Sequence, residues 1–164
     1  MKKIYIAGPD VFEQNSLEIG KKLCSLCTKY GYEGLYPLDN VVDFSQEKCK
    51  IAKDIFLANK KMIESADIVI ANLNSFRGKE ADSGTVWECG YAYGLGKDVY
   101  GYMQSTKHYI HNFCENEKEL FNGSYVDMNG CIIEDFDHPI NLMIACSIKE
   151  IVAGSFEDVL KRLV

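Results

Sequence analysis

Short apolar runs alternate with longer amphipathic stretches along the chain. KIYIAGP at 3–9 is an apolar run ending in Gly8-Pro9, the pattern of a buried strand with a sharp exit. Asn15 or Ser16 can cap a helix that runs to about Tyr30, with Leu17, Cys24 and Cys27 among its apolar positions and Gly31 as its stop. GLYPL at 34–38 reads as a second strand. Residues 46–66 carry Ile51, Ile55, Met62 and Ile63 at roughly helical spacing. DIVIANL at 67–73 is nearly all apolar, as expected of a central parallel strand covered on both faces. The loop NSFRGKEAD leads into a helix containing Glu88, and DVYGYM at 98–103 is the next strand. Residues 104–131 are polar and read as an insertion or lid. HPINLMIACS at 138–147 opens on a proline turn and enters a helix, IKEIVAG at 148–154 is a further strand, and Ser155 caps a last helix.

This order predicts an α/β fold: a three-layer sandwich around a mainly parallel, roughly five-stranded sheet of the flavodoxin or Rossmann kind. Nothing in the 164 residues suggests a boundary or repeat, so 1–164 is expected to form one domain. Sites in such sheets lie at the carboxyl ends of the strands, here Gly8-Pro9, Asp39-Asn40 and the loop leading to Asp82.

Charge then narrows the partners. A net charge of -6 argues against nucleic acid and against anionic membrane. The apolar run at the start is too short for a secretory signal, and no stretch is long enough to span a bilayer. Seven scattered cysteines point to free thiols in a reducing cytoplasm, where the glycosylation spacing at Asn122 carries no meaning. Cys24 and Cys27 form a lone CxxC, and His108, His111 and Cys114 lack a fourth ligand, so no metal site is expected.

One stretch resists a purely structural account. DSGTVWECGYAYGLGK at 82–97 sets one carboxylate, Glu88, among apolar neighbours. Burying a carboxylate costs several kcal/mol unless it is paired or hydrogen-bonded. Thr85 and Glu88 have capping-box spacing; alternatively Asp82 or Ser83 caps the helix and Glu88 falls in its second turn. Gly84, Ala92 and Leu95 share a helical face with Glu88, and Asp82 lies six residues upstream. Two acids in one cleft suit chemistry at an acetal-like carbon, one attacking the anomeric centre and the other protonating the leaving group. The Gly-rich dinucleotide fingerprint and the P-loop are both missing, which argues against nicotinamide and P-loop enzymes.

These pieces resemble the nucleoside 2-deoxyribosyltransferases. The matching segments are KIYIAGPDVF, YPLDN at 36–40, Asn59 before ESADIVIANL, FRGKEADSGTVWECGYAYGLGK and the late HPINLMI. The resemblance implies transfer of a 2-deoxyribosyl group between nucleobases, with net retention and ping-pong kinetics, as a nucleoside-salvage reaction. It implies a covalent ester on Glu88, a proton donor and acceptor in Asp82, and a hydrogen bond from Tyr5 to the nucleophile. Asn59 falls near the nucleophile and sugar, while Gly8, Phe12 and Asp39 fall along the pocket. Asn141 and Met143 match a segment that in the family completes a neighbouring subunit's site, with Asn141 on the sugar 5'-hydroxyl. The implied partners are 2'-deoxynucleosides, free purine or pyrimidine bases and further copies of the chain, at least a dimer, with no cofactor. Residues 123–143 resemble the trypanosomatid-type branch, and Val41 stands where some relatives have Gln. Two rivals stay open: a glycosidase of 2'-deoxynucleoside 5'-monophosphates, for which Arg77 is the one basic residue in view, and a non-catalytic nucleotide-binding module.

Overall fold

A computed structural model describes residues 1–39 and 43–164. Five strands form one parallel sheet: β1 (Lys3–Ala7), β2 (Glu33–Leu35), β3 (Ile68–Asn72), β4 (Asp98–Met103) and β7 (Glu150–Ala153), in the order β2-β1-β3-β4-β7. Its registers run Tyr5 opposite Leu35 and Val69, then Val69 opposite Val99, then Tyr100 opposite Glu150. The helices are α1 (Ser16–Lys29), α2 (Lys48–Ser65), α3 (Ser83–Gly94), α4 (Leu142–Ala145) and α5 (Phe156–Arg162).

Strand alternation divides the core in two. Ile4, Ile6, Ile68 and Ile70 point to one side, where Leu23 and Cys27 of α1 and Phe156, Val159 and Leu160 of α5 cover them. Tyr5, Ala7, Val69, Ala71 and Val99 point to the other, under Ile63 of α2, Cys89 and Ala92 of α3 and Ile144 of α4. Every central strand is therefore apolar on both faces, as the continuous runs in the sequence require. The helix after β1 goes to one face and the helix after β3 to the other. A crevice opens between those two strands at their carboxyl ends, where such folds bind ligands.

The expectations hold in outline and differ in detail. Asn15 sits at the N-cap of α1 without a side-chain capping bond, and Leu17 is exposed rather than packed. The second strand stops at Leu35, because Pro37 opens a 3-10 turn through Asp39. The late helix covers only Leu142–Ala145. The insertion is not structureless: β5 (Lys118–Phe121) and β6 (Ser124–Asp127) form an antiparallel hairpin. Its two-residue loop, Asn122-Gly123, has positive φ at both positions, the type I′ geometry. This region is tied to the loop before α3. Lys79 Nζ donates to the Asn112 carbonyl and to Glu117, each within 2.8 Å, and Tyr109 donates its hydroxyl to Glu80. No described helix is long and apolar enough to cross a membrane.

Gly20 shows how tightly α1 docks. A Cβ there would lie 2.3 Å from the Tyr36 ring. Overpacking costs about 1–3 kcal/mol, while Gly to Ala inside a helix regains about 1 kcal/mol or less. Gly20→Ala is therefore expected to give a net loss of about 1–2 kcal/mol in urea unfolding, with the m-value unchanged. A stabilised variant would contradict this packing.

Candidate active site

Four elements converge on one cavity of about 320 Å³. The turn after β1 supplies Gly8, Val11 and Phe12, the segment after β2 supplies Pro37 and Leu38, and α2 supplies Ile55 and Asn59. The start of α3 closes it with Asp82, Gly84, Thr85 and Glu88. Five residues picked out from the sequence (Gly8, Phe12, Asn59, Asp82 and Glu88) thus line the same space. Gly8 has to be glycine: a Cβ would stand 2.9 Å from Asn72 Cβ and 2.6 Å from Asp10 Oδ2. Ile55 of α2 is partly exposed because it walls the cavity instead of sinking into the core, while Phe56 packs against Trp87 of α3.

Each of the two acids is anchored by one oxygen. Asp82 is the N-cap of α3, and its Oδ2 accepts from the Thr85 amide at 2.9 Å and the Thr85 hydroxyl at 3.0 Å. Glu88 therefore lies in the second turn and belongs to no capping box. Its Oε1 accepts from the Tyr5 hydroxyl at 2.5 Å, across the core from β1. Neither Asp82 Oδ1 nor Glu88 Oε2 has a hydrogen-bond partner among the described residues. Two carboxylate oxygens are thus available beside the same cavity.

Burial pushes the Glu88 carboxyl up to about 7, with the Tyr5 hydrogen bond working against that rise and the nearby Asp82 charge adding to it. A helix start favours an anion by only about 0.3–1 kcal/mol, so burial wins and Glu88 titrates around neutrality. Burial and the Glu88 charge push the Tyr5 phenol well above its ordinary value, so it stays a donor. Tyr5 is fully buried.

Other expected residues sit elsewhere. Asp39 does not line the cavity; its Oδ2 accepts from the Tyr36 amide at 3.3 Å. Asn40 and Val41 lie outside the described residues. Asn141 is the N-cap of α4, and Met143 is 74% exposed. Met143 borders a groove with Val86, Gly90 and Tyr93 on another face of α3, so neither residue reaches the cavity of its own chain. Leu95, grouped with Glu88 by helical spacing, is the exposed C-cap of α3. Arg77, with φ of 53°, lays its guanidinium over the stacked rings of Phe12 and Phe76 at the mouth. Thr85, read from the sequence only as a possible helix cap paired with Glu88, is 2% exposed and orients Asp82 instead; the Asp-x-x-Thr cap spacing is its signal. Among the described residues no group of three or more His, Cys, Asp or Glu side chains is placed to hold a metal. Cys24 and Cys27 pack α1 against β2, Cys24 Sγ lying 3.6 Å from the Gly34 carbonyl.

Residues 4–143 match the family model described as nucleoside 2-deoxyribosyltransferase. Among solved structures, the 2-desoxiribosyltransferase of Leishmania mexicana is 28% identical over the full length of both chains, with a TM-score of 0.74. The 2-deoxyribosyltransferase of Bacillus psychrosaccharolyticus is 24% identical, covering 96% of this chain and 90% of its own, with a TM-score of 0.61. The CMP N-glycosidase BcmB of Clostridium botulinum is 15% identical, covering 99% and 98%, with a TM-score of 0.50. The last two show a shared fold.

The site carries a stability cost that can be measured. Glu88 has a folded value of about 7 against an ordinary 4.5, so the native state binds the proton more tightly than the unfolded chain. Its contribution is fully present below about 4.5 and is lost as pH rises through about 7. Glu88→Gln keeps an acceptor for Tyr5 and removes the charge. Thermal unfolding is expected to show the variant more stable by about 1–3 kcal/mol at pH 8, with the gain shrinking towards pH 5. Equal destabilisation at both pH values would contradict it.

Proposed function

The chain belongs to the nucleoside 2-deoxyribosyltransferase family, and on that footing we propose that it moves a 2-deoxyribosyl group between nucleobases through an ester on Glu88. The observation that carries this reading is the Tyr5–Glu88 hydrogen bond, which leaves Oε2 bare beside a cavity shared with Asp82 and Asn59.

In the first half-reaction Glu88 Oε2 attacks C1' of a 2'-deoxynucleoside. The C1'–N bond breaks, its electron pair leaves with the base, and Asp82 Oδ1 supplies the proton that base takes. In the second half a new base attacks C1' from the vacated side and its proton passes to Asp82. The C1'–O bond breaks and returns its pair to Glu88. Two inversions give retention. Tyr5 acts in both halves, fixing the rotamer of Glu88 before attack and stabilising the carboxylate as it leaves. Apolar Val11, Phe12, Leu38 and Ile55 keep the ester from water, which favours transfer over hydrolysis. Asn59 faces the sugar. No step needs a metal or organic cofactor.

Asn141 and Met143 then serve the cavity of a second copy, Asn141 on the 5'-hydroxyl, which makes the working enzyme at least a dimer. Val86 and the exposed Tyr93 and Met143 give that face of α3 and α4 the apolar character an interface needs. The free thiols suit a reducing, cytoplasmic setting.

Arg77 favours one other reading. Its guanidinium has no carboxylate partner among the described residues and stands over Phe12 at the cavity mouth. A 5'-monophosphate could meet it there, as a glycosidase of nucleotides would require.

Incubation with a 2'-deoxynucleoside and a different free base is expected to yield the swapped nucleoside. Base release without exchange, on 5'-monophosphates alone, would favour the glycosidase. Since Glu88 attacks as the anion, kcat/KM is expected to fall as pH drops below about 7. Tyr5→Phe removes the bond that lowers this value, so the acidic limb should move to higher pH. The rate should drop about 10- to 100-fold, the worth of a hydrogen bond to a charged group. An unmoved limb in the pH–rate profile would contradict the role of Tyr5.

A further inference from the structure

Glu134 lies between β6 and α4 and takes no part in the chemistry above, yet two hydrogen bonds tie it to the segment bearing Asn141. Its Oε1 accepts from Asn141 Nδ2 at 2.7 Å and its Oε2 from the Leu142 amide at 2.9 Å. The other side of the Asn141 carboxamide is fixed too, since Oδ1 accepts from the Met143 amide at 3.0 Å. A free asparagine can turn its amide over and offer either atom. Here a turn would set the amide oxygen against a carboxylate and the amide nitrogen against an N–H donor. Two acceptor sites and two donors meet at this carboxamide, and one of each remains unused. One N–H and one lone pair match a hydroxyl, which both accepts and donates.

Charge adds a second consequence. No cation pairs with Glu134 among the described residues. Whatever docks on Asn141 therefore meets an uncompensated carboxylate one hydrogen bond behind the amide. A phosphate monoester brings about 1.5–2 negative charges and no donor in its dianionic form. Repulsion between such charges a few ångströms apart near a protein surface weakens binding by about tenfold or more.

We infer that Glu134 is a positioning and specificity residue, turning Asn141 towards a sugar hydroxyl and excluding substrates phosphorylated at that position. The inference rests on the placement of Asn141 against the 5'-hydroxyl of a substrate in a second copy. It also separates the two activities considered above, because it sets a rejecting charge where a nucleotide glycosidase would need an attracting one.

The test measures kcat/KM for base release, with and without an acceptor base, on three substrates sharing one base: a 2'-deoxynucleoside, its 5'-deoxy analogue and its 5'-monophosphate. Wild type, Glu134→Gln and Asn141→Ala are compared as full-length proteins in their native assembly. Asn141→Ala is expected to lose at least about tenfold on the 5'-hydroxyl substrate and far less on the 5'-deoxy analogue. Glu134→Gln is expected to lower the nucleoside-to-monophosphate ratio by at least about tenfold, with the loss on the 5'-deoxy analogue several times smaller than that on the nucleoside. If Asn141→Ala affects both nucleosides alike, Asn141 does not meet the 5'-hydroxyl and the inference falls with that placement. If Asn141→Ala behaves as expected while Glu134→Gln leaves the ratio unchanged, the role of Glu134 alone is overturned. Equal losses on all three substrates in Glu134→Gln would reduce it to a structural support and overturn the inference as well. A wild type that releases base from none of them would overturn the proposed function itself.

Discussion

Tyr5 and Glu88 stand 83 residues apart along the chain and meet in a hydrogen bond of 2.5 Å. Tyr5 is on the second strand from the sheet edge, fully buried, with its side chain on the α2–α3 face. Glu88 is one turn into α3. For the two to meet, β1 must hold its register against β3, and α3 must start where Asp82 caps it. The consequence is a carboxylate whose charge is poorly hydrated and only partly compensated. Burial raises its pKa to about 7, and a single phenol opposes that rise. The protein would be more stable without this arrangement. Its persistence makes sense as a nucleophile held ready rather than as packing.

The remaining structure reads as support for that pair. The crossing of helices to opposite faces after β1 and β3 opens the crevice. Gly8 lets the first turn approach Asn72 closely enough to form its floor. Thr85 engages Asp82 twice, so the second carboxylate turns one oxygen to the cap and leaves the other beside Glu88. The loop before Asp82 is fastened from outside by Lys79 and Glu80 to the segment at 109–117. No residue of 104–131 lines the cavity, so this insertion braces the site from behind in the present state.

Much of this was legible in the residues, for identifiable reasons. Central strands buried on both faces leave continuous apolar runs, and KIYIA and IVIAN were unmistakable. Glu88 was visible because a lone charge in an apolar helix has few explanations. The hairpin at 118–127 was missed although Asn122-Gly123 is a strong turn signal; its strands carry exposed Leu120, Phe121 and Tyr125 and lack clean alternation. Leu17 was misplaced because helical spacing marks a stripe without saying where the helix leaves the sheet. Glu134 could not be read at all: its partner is seven residues away across a turn, and no local pattern marks such a pair. The choice between capping schemes around Asp82 and Thr85 depends on backbone geometry that spacing alone leaves open.

The claim beneath this account is that a carboxylate oxygen at position 88 becomes bonded to C1' of the sugar during turnover. A 2'-fluorinated nucleoside, whose ester forms and then hydrolyses slowly, lets that bond be seen by intact-protein and peptide mass spectrometry. The account predicts one fluorinated sugar per chain, located on the peptide containing Glu88 and lost when an acceptor base is added. Release of the base with no adduct, or an adduct on any other residue, would contradict it.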